Sequence, residues 1–414
     1  MLFTLQRPVL VGVVFFLAAF QNSLAQEKPG DLFPSWTEGT LDIHHINTGK
    51  GESSLFLMPD GTTLLVDAGA TNRPKPRVTD PRPNGTRTPG DWISRYVEHM
   101  LKDVPEAKLD YLLLTHFHDD HMGSITDDTK KSSNGAYQLA GITEVGDRIP
   151  FSKLIDRNWP DYNWPIAGES PTMKNYRNFV DWQVKNRKVV AEQFRVGSKD
   201  QVKLLREPAN YPDFEIRNIA ANGHVWTGVG DQSRNHFPAL EHLNPSEYPN
   251  ENMISSAFRL SYGKFDYFNG ADITSHHSRD WRDIETPVGY VTGPVEVCLA
   301  NHHAHYDAMG DAFVRSVRPR VHIILSWSPS HPATHVLARM LSKNVYPGPR
   351  DIFMTNTMPE TVIVAGSRIE EMKSGQGHIV IRVAKGGGSF RIFILDDSEE
   401  SFRIKSVHGP YICD

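Results

Sequence analysis

The sequence predicts an α/β fold, and three observations carry that prediction. From residue 41 to residue 123 the chain runs strand, turn, strand, loop, helix, strand, and then a loop rich in metal-ligand side chains. The helix separates from the strands by its period: Trp92, Tyr96 and Met100, and likewise Ile93, Val97 and Leu101, recur at intervals of four. The ligand-rich loop follows directly on the apolar run Tyr111-Leu112-Leu113-Leu114, and open α/β sheets bind their ligands at the carboxyl ends of strands.

Taken in order, residues 1–25 read as a secretory signal: Arg7, an apolar run over residues 8–20, then Ser23-Leu24-Ala25 as a small-x-small cleavage site before Gln26. That run is too short for a bilayer, which needs about 20 residues. No cysteine follows it for lipid attachment, so the mature protein is expected to be exported, periplasmic or extracellular, with no membrane anchor. A net charge of −5 and a pI near 6.4 give no basic signature of a nucleic-acid-binding protein. Two cysteines, Cys298 and Cys413, are too few for a disulfide framework, and Cys298 is expected as a buried strand thiol.

Residues 41–67 read as strand, turn, strand, with Pro59-Asp60-Gly61 as a turn. Asp67 ends an apolar run and is either an ordinary turn aspartate or a carboxylate that hydrogen-bonds the metal loop. Residues 73–90 carry Arg73, Lys75, Arg77, Arg82 and Arg87 against the single acid Asp80. Such a run is expected to be a solvated loop; lying over a metal site, it would favour an anionic substrate. The helix is expected over residues 91–102.

The loop Thr115-His116-Phe117-His118-Asp119-Asp120-His121-Met122-Gly123 follows. In extended backbone residues i and i+2 share a face, so His116 and His118 can grip one ion. Asp120 and His121 come where the chain turns and can meet a second. Imidazole with carboxylate suits zinc or a similar ion better than calcium or magnesium.

The pattern His-x-His-x-Asp-His resembles the signature of the metallo-β-lactamase superfamily. The flanking Asn47-Thr48-Gly49-Lys50-Gly51-Glu52-Ser53 and Leu64-Leu65-Val66-Asp67-Ala68-Gly69 are similar to the turns of the ComEC-type hydrolase domain of DNA uptake. With gaps, the resemblance runs from about residue 41 to 381. It implies an αββα sandwich over residues 26–360, with an insertion at about 127–211 and a β-rich C-terminal extension, a β-hairpin and a further strand, over 361–414. It also implies one or two divalent metal ions, zinc by preference, and places Asp67 in support of the metal loop. Asp272, in Phe268-Asn269-Gly270-Ala271-Asp272, stands where the family has its bridging aspartate. In Ala300-Asn301-His302-His303-Ala304-His305, one histidine completes the second metal site and the other meets substrate or the leaving group. His302 is the expected ligand and His303 the expected catalytic residue, although spacing does not choose between them. His305 replaces a serine of the family pattern.

One ligand position is empty in the sequence. Many relatives have a third histidine for the first metal, but none lies between His242 and Asp272 here, and the matching position falls near Asn252. His224 is an alternative from an earlier turn. The first site is therefore expected to be the weaker one. His331 is either a site residue or a core histidine, and His44, His45, His276 and His277 are expected to be structural. The aromatics of residues 159–165 are expected to pack on the core.

The expected function is an exported metal-dependent hydrolase acting on a phosphodiester or related anionic ester. Asp120 is expected to bind metal and orient the attacking water. The substrate is a small molecule or an anionic polymer, with no stable nucleic-acid partner implied by the charge. A lactonase or β-lactamase would use the same ions, and a scaffold protein with a decayed site is the reading from another class.

Overall fold

The computed structural model describes residues 27–74, 76–275 and 280–414. The predicted signal, Lys75, His276 and His277 lie outside them. Six strands come first: β1 (Leu41–His45), β2 (Ser54–Leu57), β3 (Thr63–Val66), β4 (Leu109–Leu114), β5 (Phe151–Asp156) and β6 (Val190–Gln193). Eight more form a second sheet: β7 (Phe214–Ala221), β8 (His224–Trp226), β9 (Ser233–Asn235), β10 (Ala257–Tyr262), β11 (Phe265–Asn269), β12 (Val297–Leu299), β13 (Val321–Ile324) and β14 (Asp351–Met354). The last three, β15 (His378–Val383), β16 (Ser389–Leu395) and β17 (Ile404–Ile412), return to the first sheet. Its order is β17-β16-β15-β1-β2-β3-β4-β5-β6, and that of the second is β14-β13-β12-β11-β10-β7-β8-β9.

The helices are α1 (Pro89–Met100), α2 (Asp119–Met122), α3 (Ile142–Arg148), α4 (Pro171–Trp182), α5 (Glu285–Thr292), α6 (Asp311–Val317), α7 (Thr334–Leu341) and α8 (Pro359–Ala365). Apolar side chains sort them into layers. Tyr111 and Leu113 of β4 join Phe258, Tyr267 and Ile323 between the sheets, while Leu112 and Leu114 join Ile93, Val97, Val145 and Phe179 of α1, α3 and α4. A third cluster packs Phe268, Cys298 and Ile324 against Val288, Phe313 and Leu337 of α5, α6 and α7. The result is helix, sheet, sheet, helix, a metallo-β-lactamase-like sandwich. β4 has apolar neighbours on both faces, which is why its sequence reads as a near-continuous apolar run. Each fully buried leucine there contributes about 1.5–3 kcal/mol.

The α1 helix begins two residues before its expected start. Thr88 caps it by accepting the Asp91 N–H at 3.2 Å, and Pro89 takes the first turn. Residues 127–211 contain β5 and β6, which extend the first sheet beside β4 through parallel pairing. Their aromatics pack inward: Tyr162 and Tyr176 donate to Asp156 at 2.8 and 2.9 Å. The C-terminal strands join through β15, antiparallel to β1. The last strand starts later than the expected Phe402, whose φ of 48° cannot continue a strand, and runs on to Ile412. Among the described residues no helix is long and apolar enough to cross a membrane.

Candidate metal centre

The ends of β4, β11 and β12 converge between the sheets. His116 and His118 lie in the extended exit from β4, and α2 turns Asp120 and His121 toward the same point. Two early turns press on this loop. A Cβ at Gly51 or Gly69 would stand 2.3 or 1.9 Å from the Asp120 carbonyl oxygen, so only glycine allows the approach. Glu52 N–H donates to that oxygen at 2.8 Å, and Ala68 N–H to His121 O at 2.8 Å. From the segment before β10, Ser256 N–H donates to Thr115 O at 3.0 Å and Glu251 accepts the Phe117 N–H at 2.8 Å.

Asp272 is the centre of the arrangement. Its Oδ2 lies 3.6 Å from His116 Nε2, which is itself 3.2 Å from His118 Nδ1. Its Oδ1 lies 3.2 Å from His121 Nε2 and 3.5 Å from His303 Nε2. Asp120 Oδ2 stands 3.1 Å from His303 Nε2 and 3.8 Å from His121 Nε2. His116, His121, Asp120, Asp272 and His303 are all buried, and His118 is half-buried.

The imidazoles are oriented from behind. Asp67 accepts the Thr115 N–H at 2.8 Å, the Thr115 hydroxyl at 2.7 Å and His121 Nδ1–H at 2.8 Å. His303 Nδ1–H donates to Leu325 O at 2.9 Å. Each bond favours the tautomer with a lone pair on Nε2, which in His303 also accepts the Trp327 indole N–H at 3.3 Å. Trp327 and His331 back His303, the latter stacked at 4.7 Å.

The donor set fits a cation. His121 Nε2 and both Asp272 oxygens are buried with no hydrogen-bond partner among the described residues. An unsatisfied buried polar group costs about 1–3 kcal/mol, and more when charged, so three together call for a positive ion. Among the described residues three groups offer one ligand atom each within 4.8 Å: His116, His118 and Asp272; Glu52, His121, Asp272 and His303; and, beside them, His302, His305 and Asp307. Nitrogen and carboxylate donors match zinc or a similar ion.

Without an ion the positive charge falls on His121: against its burial, Asp272, Asp67 and Asp120 raise it well above the usual histidine value. Burial alone would raise the Asp272 carboxyl, but His121, His303 and His302 outweigh it and hold it well below the usual range. Asp120 is likewise held low against its burial, by His121 and the hydrogen bond from His303. Burial pushes Glu52 up to about 7, against the pull of His121 and His303.

The expected pairing of His302 with Asp120 and His121 is not what the fold produces. His303 stands there instead. Residues 302–304 all take positive φ, 45°, 54° and 58°, so the chain coils left-handedly and turns the two rings apart. His224 is exposed and meets Ser233 at 3.4 Å, away from the centre. His44 and His45 bond Tyr96 and Ser54 at 3.0 and 2.9 Å within the core. Of the basic loop, Arg73 reaches the site rim, stacked on Trp327 at 4.9 Å and paired with Asp119 at 3.0 Å. Arg87 pairs with Asp91 instead.

Sequence reasoning passed over Glu52 as a site residue, and also Glu285 and Asp307. Glu285 accepts from Asn301 Nδ2 at 2.7 Å, Met309 N–H at 2.7 Å and Gly310 N–H at 2.8 Å, so it holds the loop that carries the histidine pair. Asp307 lies only five residues from His302, a spacing that was the one available signal.

Residues 48–135, from the first glycine-rich turn through the metal loop, match the sequence model of the Metallo-beta-lactamase superfamily. No curated protein matches the chain. Among solved structures, a protein of Parabacteroides distasonis ATCC 8503, provisionally named a metal-dependent hydrolase, is similar at 14% identity over 79% of this chain and 98% of that one, with a TM-score of 0.35.

Proposed function

We propose that this chain is an exported metal-dependent hydrolase that cleaves a phosphodiester or a related anionic ester, as the ComEC-type enzymes it resembles do. The observation that carries the reading is the pair of unpartnered Asp272 oxygens, one facing His116 and the other facing His121 and His303. His116 and His118 would hold one ion, Asp120, His121 and His303 a second, and Asp272 both. Zinc ions held there supply a Lewis acid and a water acidic enough to attack at neutral pH.

The chain's own groups do the rest. Asp120 stays ionised, and its carboxylate can accept a hydrogen bond from the attacking water and aim it. Asp67 and the Leu325 carbonyl keep His121 and His303 in the tautomer that leaves Nε2 free. Trp327 donates its indole N–H to His303 Nε2 at 3.3 Å, and His331 stacks on the ring at 4.7 Å. Arg73 on the rim supports the choice of an anionic substrate. The apolar run and cleavage site in residues 1–25 support export.

A screen of the metal-replete protein against bis(p-nitrophenyl) phosphate, a lactone and a β-lactam tests the substrate class. Phosphodiester hydrolysis that EDTA abolishes and zinc restores is the expected result; turnover confined to the lactone or the β-lactam overturns it. Mass spectrometry of protein from its native host should find an N-terminus at Gln26, and an intact Met1 would contradict export.

A further inference from the structure

The ion held by His116 and His118 has only two imidazoles from the metal loop, and the sequence position for a third is an asparagine. Asn252 does lie at that place, but its side chain points to another residue: Asn252 Nδ2 donates to His302 Nε2 at 3.0 Å. That Nε2 is 3.9 Å from Asp272 Oδ2, the oxygen that His116 faces at 3.6 Å. His303 meets the opposite oxygen.

Three features give His302 the character of a ligand. Its Nδ1–H donates to Asp307 Oδ1 at 2.7 Å, so Nε2 carries a lone pair, as Asp67 arranges for His121 and Leu325 for His303, and to bind an ion that lone pair would exchange the Asn252 N–H it accepts at 3.0 Å. The left-handed backbone at 302 and 303 sets the two rings 6.1 Å apart at 56°, one on each side of Asp272. Two donors bound to one tetrahedral ion at ~2.0–2.1 Å lie roughly 3.3–3.4 Å apart. The contacts His116–His118, His116–Asp272 and His302–Asp272, at 3.2, 3.6 and 3.9 Å, come near that spacing, and since His302 Nε2 is not within 4.8 Å of both His116 and His118 its ring would draw inward to share their ion. The turn itself is tied to Asp272, because His302 N–H donates to Ala271 O at 2.8 Å.

We propose that His302 is the third nitrogen ligand of the ion held by His116 and His118, with Asp307 as the residue that positions it. The inference rests on the reading of the site as a metal centre. It replaces the sequence-based expectation of a weak first site with two sites of similar strength, and it explains how an asparagine is tolerated where a histidine is usual.

Metal content and chelator competition on the mature protein test it, with zinc and then cobalt(II) as the probe. The wild type should hold two ions of similar affinity. His302→Gly and His302→Asn, both of which accept the left-handed backbone, should keep one ion and bind the other at least tenfold more weakly. Asp307→Asn should weaken the same ion by roughly 10–100-fold. The cobalt(II) absorption spectrum should change for that ion alone. Two ions held with wild-type competition in the His302 variants would overturn the assignment, even with hydrolysis lost, and would place His302 against substrate. Should a His302 variant fail to fold, Asp307→Asn and its cobalt spectrum decide alone. A wild-type protein that holds no divalent ion would overturn this assignment together with the metal-centre reading beneath it.

Discussion

His116, His118, Asp120 and His121 come from six consecutive residues after β4, whereas Asp272, His302 and His303 come from two separate turns of the other sheet. The first group leaves the strand in extended backbone and bends into α2, with glycine turns and Asp67 pressed against it. The second group is built from left-handed backbone at non-glycine residues: Ala271 at 47°, His302 at 45°, His303 at 54° and Ala304 at 58°. Each such residue costs roughly 1–2 kcal/mol, and the surrounding structure must hold it in place. Asn269 does so at Ala271, accepting its N–H at 2.9 Å, and Glu285 does so for the histidine turn through Asn301. One half of the site is thus positioned by contiguous sequence and the other by buried polar anchors.

That contrast can be broken most severely in the contiguous half. Asp120→Ala or His116→Ala should lower hydrolysis by roughly a thousandfold or more, about 4 kcal/mol of barrier. The fold should survive, because these residues, though buried, belong to none of the three apolar clusters. A variant with full rate in the presence of metal would remove the residue from the site.

Glu285→Ala should show the opposite pattern, a loss of folding stability by about 3 kcal/mol. It orphans three donors, at about 1 kcal/mol each. Urea denaturation with an unchanged midpoint would show that the second half is anchored elsewhere. The wild type adds a pH signature here. Burial pushes the Glu285 carboxyl up to about 8 from 4.5, so the folded state favours its protonated form. The stabilisation is complete below about 4.5 and falls as pH rises toward about 8, by at most a tenfold change in the folding equilibrium per unit. Glu285→Ala should lose that slope.

Asp67→Asn keeps an acceptor for Thr115 but no longer offers a carboxylate to His121. Metal affinity should fall by roughly 10–100-fold with little change in melting temperature, as measured by chelator competition. Affinity equal to wild type would show that Leu325 and Asp120 suffice to orient the second ion's ligands.

The smallest effect should come from Ala271→Gly. Relief of the left-handed conformation, at least 1 kcal/mol, is offset by the loss of a buried methyl, about 0.8 kcal/mol, so stability should shift by about 0.5 kcal/mol or less. A gain well above that would show that the second half stores more strain than its φ angles indicate.

The sequence by itself determined the strand and helix order around β4, the period of α1, the turn between β2 and β3, and the four ligand types of the metal loop. Each depends on side-chain period or backbone preference over a few adjacent residues, and such local rules hold wherever the segment ends up. Tertiary structure decided which histidine faces which oxygen of Asp272, that Asn252 meets His302, and that β5 and β6 are woven into the first sheet. It also gave roles to Glu52, whose turn the sequence marks without marking its carboxylate, to Asp307, signalled only by its spacing from His302, and to Glu285, which has no distinguishing sequence pattern. These outcomes require the ends of β11 and β12 to be brought against the exit of β4, and the left-handed turn at residues 302–304 sets the final direction of each ring. A one-residue difference in a backbone that coils left-handedly points a side chain to the other side of the aspartate, which spacing in the chain cannot reveal.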